Sequence, residues 1–430
     1  MTLAGKSCWC IWISWIKIFQ DPQPMPFELN NDQRKYLGLA PVDAAWDRVI
    51  FKGDFYRKES ILYYDGDVIK RHIESNDESY KESQYDEMTS MQTTLLAKTA
   101  KGKDQKLTAA TLEKRSPIGV YCCISTDGHL RIGNYTTQTT FYDNRDDVQG
   151  LDMMCSFNDI IGEFIRLSPD NHLGEIADFK NRKRKNVTYK AGDFFAFKLN
   201  RTEFGFGRVL VDIVSLKKKA TLPHYHEFRS LMGKSLLVKI YGYVSKSKNA
   251  DIDELATAMV LPSDYMMDNV LFYGEYEIAG HRALKESDMD FPMSYGKWEQ
   301  RGQKRIYLQW GMIYKEIIDP VFDKYLVADN LNVSESSPSR KIDNPYSYRS
   351  IGFRPAYNGA YAKGFIENNG VFDFEKCKHY KSNFDLRNPR NTEVRRELML
   401  LFGLDPDKSY DENCELTGTM RVKELLKLIN

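Results

Sequence analysis

The sequence predicts an α+β fold that is predominantly antiparallel β, with a helical C-terminal tail. Its 26 tyrosines and 23 phenylalanines favour pleated, half-buried surfaces. Apolar runs joined at Asp-Gly dipeptides indicate β-hairpins, because both residues tolerate positive φ. Glycines inside one strand pattern indicate a sharp bend. For the central region we therefore expect a small, strongly bent sheet or an SH3-like barrel.

The individual elements follow from local patterns. Asp65-Gly66 and Asp127-Gly128 predict hairpin turns, and "FNDIIGEFIRL", Phe157 to Leu167, has helical apolar spacing. The acidic run 74–87 predicts a solvated loop, with a charge-matched contact to a partner as the alternative. Near the C-terminus, "TEVRRELMLLFGL" and "TMRVKELLKLIN" predict two helices, the first of which ends at a glycine.

Polar and charged runs divide the 430-residue chain. The basic run 181–186 and the Pro- and Ser-containing run 330–345 predict linkers. We expect a β-rich N-terminal domain at 25–180, a central domain at 187–328 and a partly helical region at 346–430. Residues 1–24 lie outside the strand pattern and precede a second methionine, Met25. We expect them to be a dispensable or mis-assigned extension; the alternative is an interfacial anchor.

Composition limits the classes of partner and compartment. The chain is 42% hydrophobic and 28% charged with a net charge of +1, so no overall field attracts it to nucleic acid or membrane. The apolar stretch Cys8–Phe19 is shorter than the roughly 20 residues of a membrane span. The seven cysteines show no disulfide framework, which predicts reduced thiols in the cytoplasm.

The stretch "YKAGDFFAFKLNRTEFGFGRVLV", Tyr189 to Val211, carries the most specific pattern. In a strand, Gly205 and Gly207 share one face and leave a slot, while Phe206 and Arg208 share the other. One interpretation is structural: a buried Arg208 needs an acid or a carbonyl as its internal partner, and Asp212 or Asp193 could form the ion pair. The other interpretation places Arg208 and the Phe206 ring against a partner.

This stretch resembles the opening of the immunity protein 26 family of bacterial polymorphic toxin systems. That family has a Gly-Asp strand, here Gly192 and Asp193, followed by a strand with aromatic-Gly-Arg-Val, here Phe206 to Val209. The resemblance continues in "NVLFYGEYEIAGHRALKESDMDFPMSYG" and covers about residues 187–297. The chain differs from the family in a longer middle region and long flanking segments.

The resemblance implies a cytoplasmic binding protein that neutralises a cognate toxin by stoichiometric binding, without catalysis or a cofactor. Longer relatives are sometimes labelled phosphotriesterases, so a metal-dependent phosphoester hydrolase is the alternative. Its metal ligands would be His224 and His226, but the polar segment before them is unlike an apolar barrel strand. Cys377 with His379 is a weaker candidate for nucleophilic catalysis.

A nucleic-acid-binding module is the second alternative. Two basic clusters, Arg182–Lys185 and Lys217–Lys219, favour it, and the near-zero net charge opposes it.

Overall fold

The computed structural model describes residues 26–145, 154–300, 302–319, 321–326, 346 and 385–430. The predictions for residues 1–24, Met25, the linker 330–345 and the pair Cys377 and His379 lie outside these ranges. The described residues form antiparallel sheets with short helices and a helical C-terminal segment, so the predicted α+β, β-rich class is confirmed.

The strands are, in chain order, β1 (Asp47–Phe51), β2 (Ser60–Asp65), β3 (Val68–Ser75), β4 (Ser79–Ser90), β5 (Thr94–Leu95), β6 (Gln105–Lys106), β7 (Ile118–Ser125), β8 (Leu130–Asn134), β9 (Thr139–Asp143), β10 (Asp193–Lys198), β11 (Phe204–Asp212), β12 (Ser235–Ser245), β13 (Asp264–Met267), β14 (Glu277–His281), β15 (Met293–Gln300), β16 (Gln303–Trp310) and β17 (Ile313–Ile318). The helices are α1 (Asn31–Tyr36), α2 (Ala109–Leu112), α3 (Phe157–Arg166), α4 (His172–Asn181), α5 (Ile213–Lys219), α6 (Glu227–Ser230), α7 (Ile252–Thr257), α8 (Asn269–Phe272), α9 (Thr392–Leu401), α10 (Tyr410–Thr417) and α11 (Val422–Ile429). Single 3-10 turns span Glu286–Asp288 and Pro389–Asn391.

The N-terminal sheet has the order β1-β2-β3-β4-β7-β8-β9, with β5 and β6 as a side branch from β4. Both predicted hairpin turns are confirmed, with φ of +58° at Gly66 and +89° at Gly128. One face of the sheet packs against α3 and α4, where Ile161, Phe164 and Phe179 are buried. The helix predicted from Phe157 is confirmed as α3.

The prediction of a solvated loop over the acidic run 74–87 is wrong. Residues Ser79–Ser90 form β4, the strand between β3 and β7, because alternate residues such as Tyr80 point inward. The buried acid on this strand, Glu82, is neutralised within the chain: it accepts from Arg34 Nε at 2.9 Å and lies 3.1 Å from Arg71 Nε. A charge-rich sequence can therefore enter a core when its charges are paired there.

The central sheet has the order β13-β12-β11-β10-β14 and is antiparallel throughout. Its register shifts at Phe194/Phe195, Gly205/Phe206 and Val209/Val211, and each shift bends a strand. Of the two expected forms, the structure therefore shows the bent sheet. Strand β10 is covered on both faces, as its sequence predicts, because Phe194 and Phe195 belong to different apolar clusters.

The three-stranded sheet β15-β16-β17 packs against the C-terminal helices, with Leu398 of α9 and Cys414 of α10 in the shared cluster. Helix α11 instead packs beside α5 of the central region, where Leu425 meets Leu216. Both predicted C-terminal helices are confirmed, and Gly403 follows the first at φ +72°. No helix in the described part of the chain combines the length and apolarity that crossing a membrane requires.

The hairpin turn between β10 and β11 joins the central sheet to the N-terminal sheet through Arg201. Its guanidinium donates to the Phe164 carbonyl and to Ser168 Oγ, both at 2.7 Å, and to His172 Nδ1 at 2.8 Å. The Nε2 of His172 donates to the Tyr36 carbonyl, which leaves Nδ1 as an acceptor. The polar segment "NRTE" between the two apolar runs is thus the turn whose Arg201 fixes the hairpin against α3 and α4.

Replacing Arg201 is expected to loosen this contact. Arg201→Ala leaves Nδ1 of the buried His172 without its donor, and it leaves the Phe164 carbonyl with Ser168 Oγ at 3.0 Å. This loss should lower the free energy of unfolding by about 1–3 kcal/mol. The matched control is Thr202→Ala, since Thr202 is exposed in the same turn and its hydroxyl bonds only Asn200. Chemical denaturation of both variants measures the difference, and equal midpoints would contradict the account.

Candidate functional site

Gly192 permits a close approach of two backbone segments at the start of β10. Its φ is +88°, and a Cβ there would lie 2.4 Å from the Arg282 carbonyl oxygen. The Gly192 amide donates to the Val209 carbonyl at 2.8 Å, and its own carbonyl accepts from the Arg282 amide at 3.2 Å. A glycine is therefore required where the segment after β14 crosses the β10–β11 hairpin.

Asp193 orients a histidine that lies far away in sequence. Its carboxylate is buried, accepts from the Lys190 amide at 2.8 Å and accepts from His281 Nδ1 at 2.7 Å. Because a carboxylate only accepts, His281 carries its proton on Nδ1 and presents Nε2 away from Asp193. The His281 side chain is 39% exposed. Within the described ranges, no hydroxyl or thiol hydrogen-bonds this imidazole.

The two strand glycines make room for aromatic rings. Phe195 pairs with Gly207, and Phe197 pairs with Gly205, across β10 and β11. A Cβ on Gly207 would lie 2.4 Å from Phe195 Cζ, and one on Gly205 would lie 2.8 Å from the Phe197 ring. The predicted slot therefore exists on one face of β11, but the rings of the neighbouring strand fill it.

Arg208 lies on the opposite face and is 1% exposed. Its guanidinium forms an ion pair with Asp288 Oδ2 at 3.1 Å and donates to the Arg282 carbonyl at 2.6 Å and the Ala283 carbonyl at 3.2 Å. It also lies 4.6 Å above the centre of the Phe194 ring. Arg208 thus holds the segment after β14 onto the sheet.

The predicted ion-pair partners of Arg208 are wrong. Asp212 instead caps α5 by accepting from the Ser215 amide at 3.0 Å, and Asp193 is engaged by His281. The actual partner, Asp288, comes from the 3-10 turn Glu286–Asp288. Phe206, the other residue on this face, is fully buried beside Tyr241 and Leu255 and makes no contact surface.

Lys239 completes the cluster from the neighbouring strand β12. Its ammonium donates to the Asp288 carbonyl at 2.9 Å and lies 3.8 Å from the Asp288 carboxylate. Desolvation lowers the pKa of Lys239, and the Asp288 charge opposes that shift. Two buried cations therefore converge on one acid, so the segment 282–288 is held by charge as well as by backbone hydrogen bonds.

Sequence reasoning assigned no role to Lys239, His281 or Asp288. His281 and Asp288 lie within the Gly-His turn and acidic stretch "GHRALKESD" that carries part of the family resemblance. That motif was the signal in the sequence that could have indicated these residues. Only the folded structure shows that the motif contacts Gly192, Asp193 and Arg208.

The proposed metal pair His224 and His226 does not converge. His224 is exposed, whereas His226 is fully buried with both ring nitrogens engaged. Its Nδ1 accepts from the Phe228 amide at 3.2 Å, which caps α6, and its Nε2 lies 2.8 Å from Gln309 Nε2. Across the described ranges, no three His, Cys, Asp or Glu side chains are grouped as metal ligands.

Burial of His226 should make stability depend on pH. Desolvation lowers its pKa from 6.5 to about 4, so the folded state disfavours the protonated ring. The stability that the neutral His226 ring contributes is fully present above pH 6.5 and is lost as the pH falls toward about 4. From pH 7 to pH 5 this single group should cost about 2 kcal/mol.

The matched variant is His226→Asn, which keeps an N-cap acceptor and does not titrate. Burial also lowers the pKa of His172, so only the difference between the wild-type and variant slopes reports on His226. Urea denaturation at both pH values measures it. Parallel slopes would show that His226 is not the titrating group.

Comparison with known proteins adds one relationship. The chain has no match among curated proteins or among solved structures. Residues 190–305 match the model of the family described as immunity protein 26, and this range contains Asp193, Arg208, Lys239, His281 and Asp288. The central part of the chain, including the whole cluster that holds the segment 282–288, is therefore similar to immunity protein 26.

Proposed function

We propose that this chain is a toxin-immunity protein that neutralises a cognate bacterial toxin by stoichiometric binding. The observation that carries the proposal is the family match over residues 190–305, which includes every residue of the Arg208 cluster. Immunity by binding requires a rigid surface of fixed shape and charge. The bent central sheet, held by Gly192, Arg208 and Asp288, supports such a role.

The chemistry of the cluster favours binding over catalysis. Arg208 and Lys239 direct their charges to Asp288 and to backbone carbonyls of the chain itself. His281, oriented by Asp193, is the member with an exposed side chain, and its outward nitrogen can exchange a hydrogen bond with a partner. The hydrolase alternative needs His224 and His226 at one metal, and one of them is exposed while the other is buried.

We further propose that the protein is cytoplasmic. The cysteines of the described part support this placement, because Cys122, Cys123, Cys155 and Cys414 are all unpaired thiols. Unpaired thiols are the common state in a reducing compartment.

The test is co-expression with each toxin encoded beside the gene of this chain. We expect one toxin to lose its lethality and to elute with the chain as a complex in size-exclusion chromatography. His224→Ala is the control variant, since it removes the only exposed histidine of the proposed metal pair and should protect as well as the wild type. Protection that requires His224, or that occurs without a complex, would contradict the proposal.

A further inference from the structure

A groove lies between α1 and α4, and none of the residues that line it belongs to the Arg208 cluster. Its volume is about 410 Å³, and apolar side chains form its floor and walls: Leu39, Pro41, Leu173, Ile176 and Ala177. Lys35 and Lys180 line its rim, and both are exposed. The groove can therefore take an apolar side chain between two cations.

The rim continues directly into the basic run Arg182–Lys185 that follows α4. All four side chains are exposed, but the run is held in place. The Val187 amide donates to the Phe272 carbonyl at 2.8 Å, and the Arg184 guanidinium lies 4.8 Å above the Tyr273 ring. A cation fixed on a ring loses less side-chain entropy when an anion binds it.

These six cations lack carboxylate partners within the described part of the chain: Lys35, Lys180, Arg182, Lys183, Arg184 and Lys185. The acids on α1 and α4 are Asp32, Glu175 and Asp178, and Glu175 is engaged by Lys198 at 2.6 Å. The whole chain has a net charge of only +1, so this surface concentrates positive charge locally. Its complement is an acidic surface.

The geometry points to an acidic segment of the toxin as the occupant, with an apolar side chain in the groove and carboxylates against residues 180–185. This inference rests on the proposed function for the identity of the partner. A protein segment fits better than a nucleic acid, because the groove floor is aliphatic. In addition, Arg184 and Lys234 cover faces of Tyr273 and Phe272 that bases would otherwise stack on.

The test uses the full chain and a labelled peptide of Asp and Glu with two leucines one helical turn apart. Arg182→Glu/Lys183→Glu should weaken peptide binding at least about tenfold, and Ala177→Glu should weaken it by repulsion at the groove. Lys217→Glu/Lys218→Glu on α5 is the control, since it makes the same charge change in a separate basic cluster. It should change binding by less than about twofold. Thermal melts of all the variants check that the substitutions leave the fold intact.

Three outcomes of the peptide assay would overturn the inference: no peptide binding, equal losses in the test and control variants, or tighter binding of a single-stranded oligonucleotide than of the peptide. The neutralised toxin supplies the second arm. If Arg182→Glu/Lys183→Glu binds the toxin as tightly as the wild type, the toxin docks elsewhere and the proposed function stands. If the wild type binds the peptide through these residues but binds no toxin, the proposed function fails and the acidic-segment site remains.

Discussion

Arg208→Ala is expected to lower the free energy of unfolding by about 3–5 kcal/mol, because it breaks a buried ion pair by removing one partner. The substitution removes the guanidinium that donates to the carbonyls of Arg282 and Ala283, and it leaves the Asp288 carboxylate with Lys239 and the Lys285 amide. It also removes the cation that lies over the Phe194 ring.

Arg208→Lys is the matched variant, since it keeps the charge but cannot donate in the fork geometry of a guanidinium. It should recover part of the stability and not all of it. Denaturation with guanidinium chloride measures both variants. If Arg208→Ala unfolds at the same guanidinium chloride concentration as the wild type, the side chain does not hold the segment 282–288. Arg208 would then be a candidate contact for a partner.

Gly207→Val is expected to destabilise the protein by a few kcal/mol through overpacking, typically about 1–3 kcal/mol and occasionally more. The new Cβ would lie 2.4 Å from Phe195 Cζ and 2.9 Å from the Lys239 carbonyl oxygen. The ring is held between strands and the carbonyl is backbone, so neither can move far.

The control for this prediction is Gly162→Ala. Gly162 lies on the exposed face of α3, and a Cβ there meets no atom within 4 Å. Alanine should be neutral or stabilise α3 by about 0.5–1 kcal/mol, because glycine costs entropy in a helix. If Gly207→Val has the melting temperature of the wild type, the packing of the Phe195 ring does not depend on the absence of a side chain at position 207.

Local patterns were sufficient to predict much of the fold. The turns at Gly66 and Gly128 and the helix α3 depend on residues within a few positions of one another, so the sequence indicates them directly. The burial of β10 also follows from its own residues, because both faces of the strand are apolar.

Contacts between distant segments could not be predicted in the same way. Strand β4 reads as a solvated run because Glu82 is charged, and the arginines that neutralise it lie on other elements. Arg208 required an acid, and nearby Asp212 and Asp193 were reasonable choices. Asp288 reaches Arg208 only because the chain crosses back over the hairpin at Gly192.

The measurement that tests toxin neutralisation most directly is a titration of the purified toxin with the purified chain, followed by the residual toxin activity. Stoichiometric binding predicts a linear fall that ends at one equivalent of the chain. It also predicts that the toxin recovers its activity when the complex is denatured and the toxin is refolded alone. Complete inactivation by far less than one equivalent, with toxin that stays inactive after separation, would show catalysis and contradict the account.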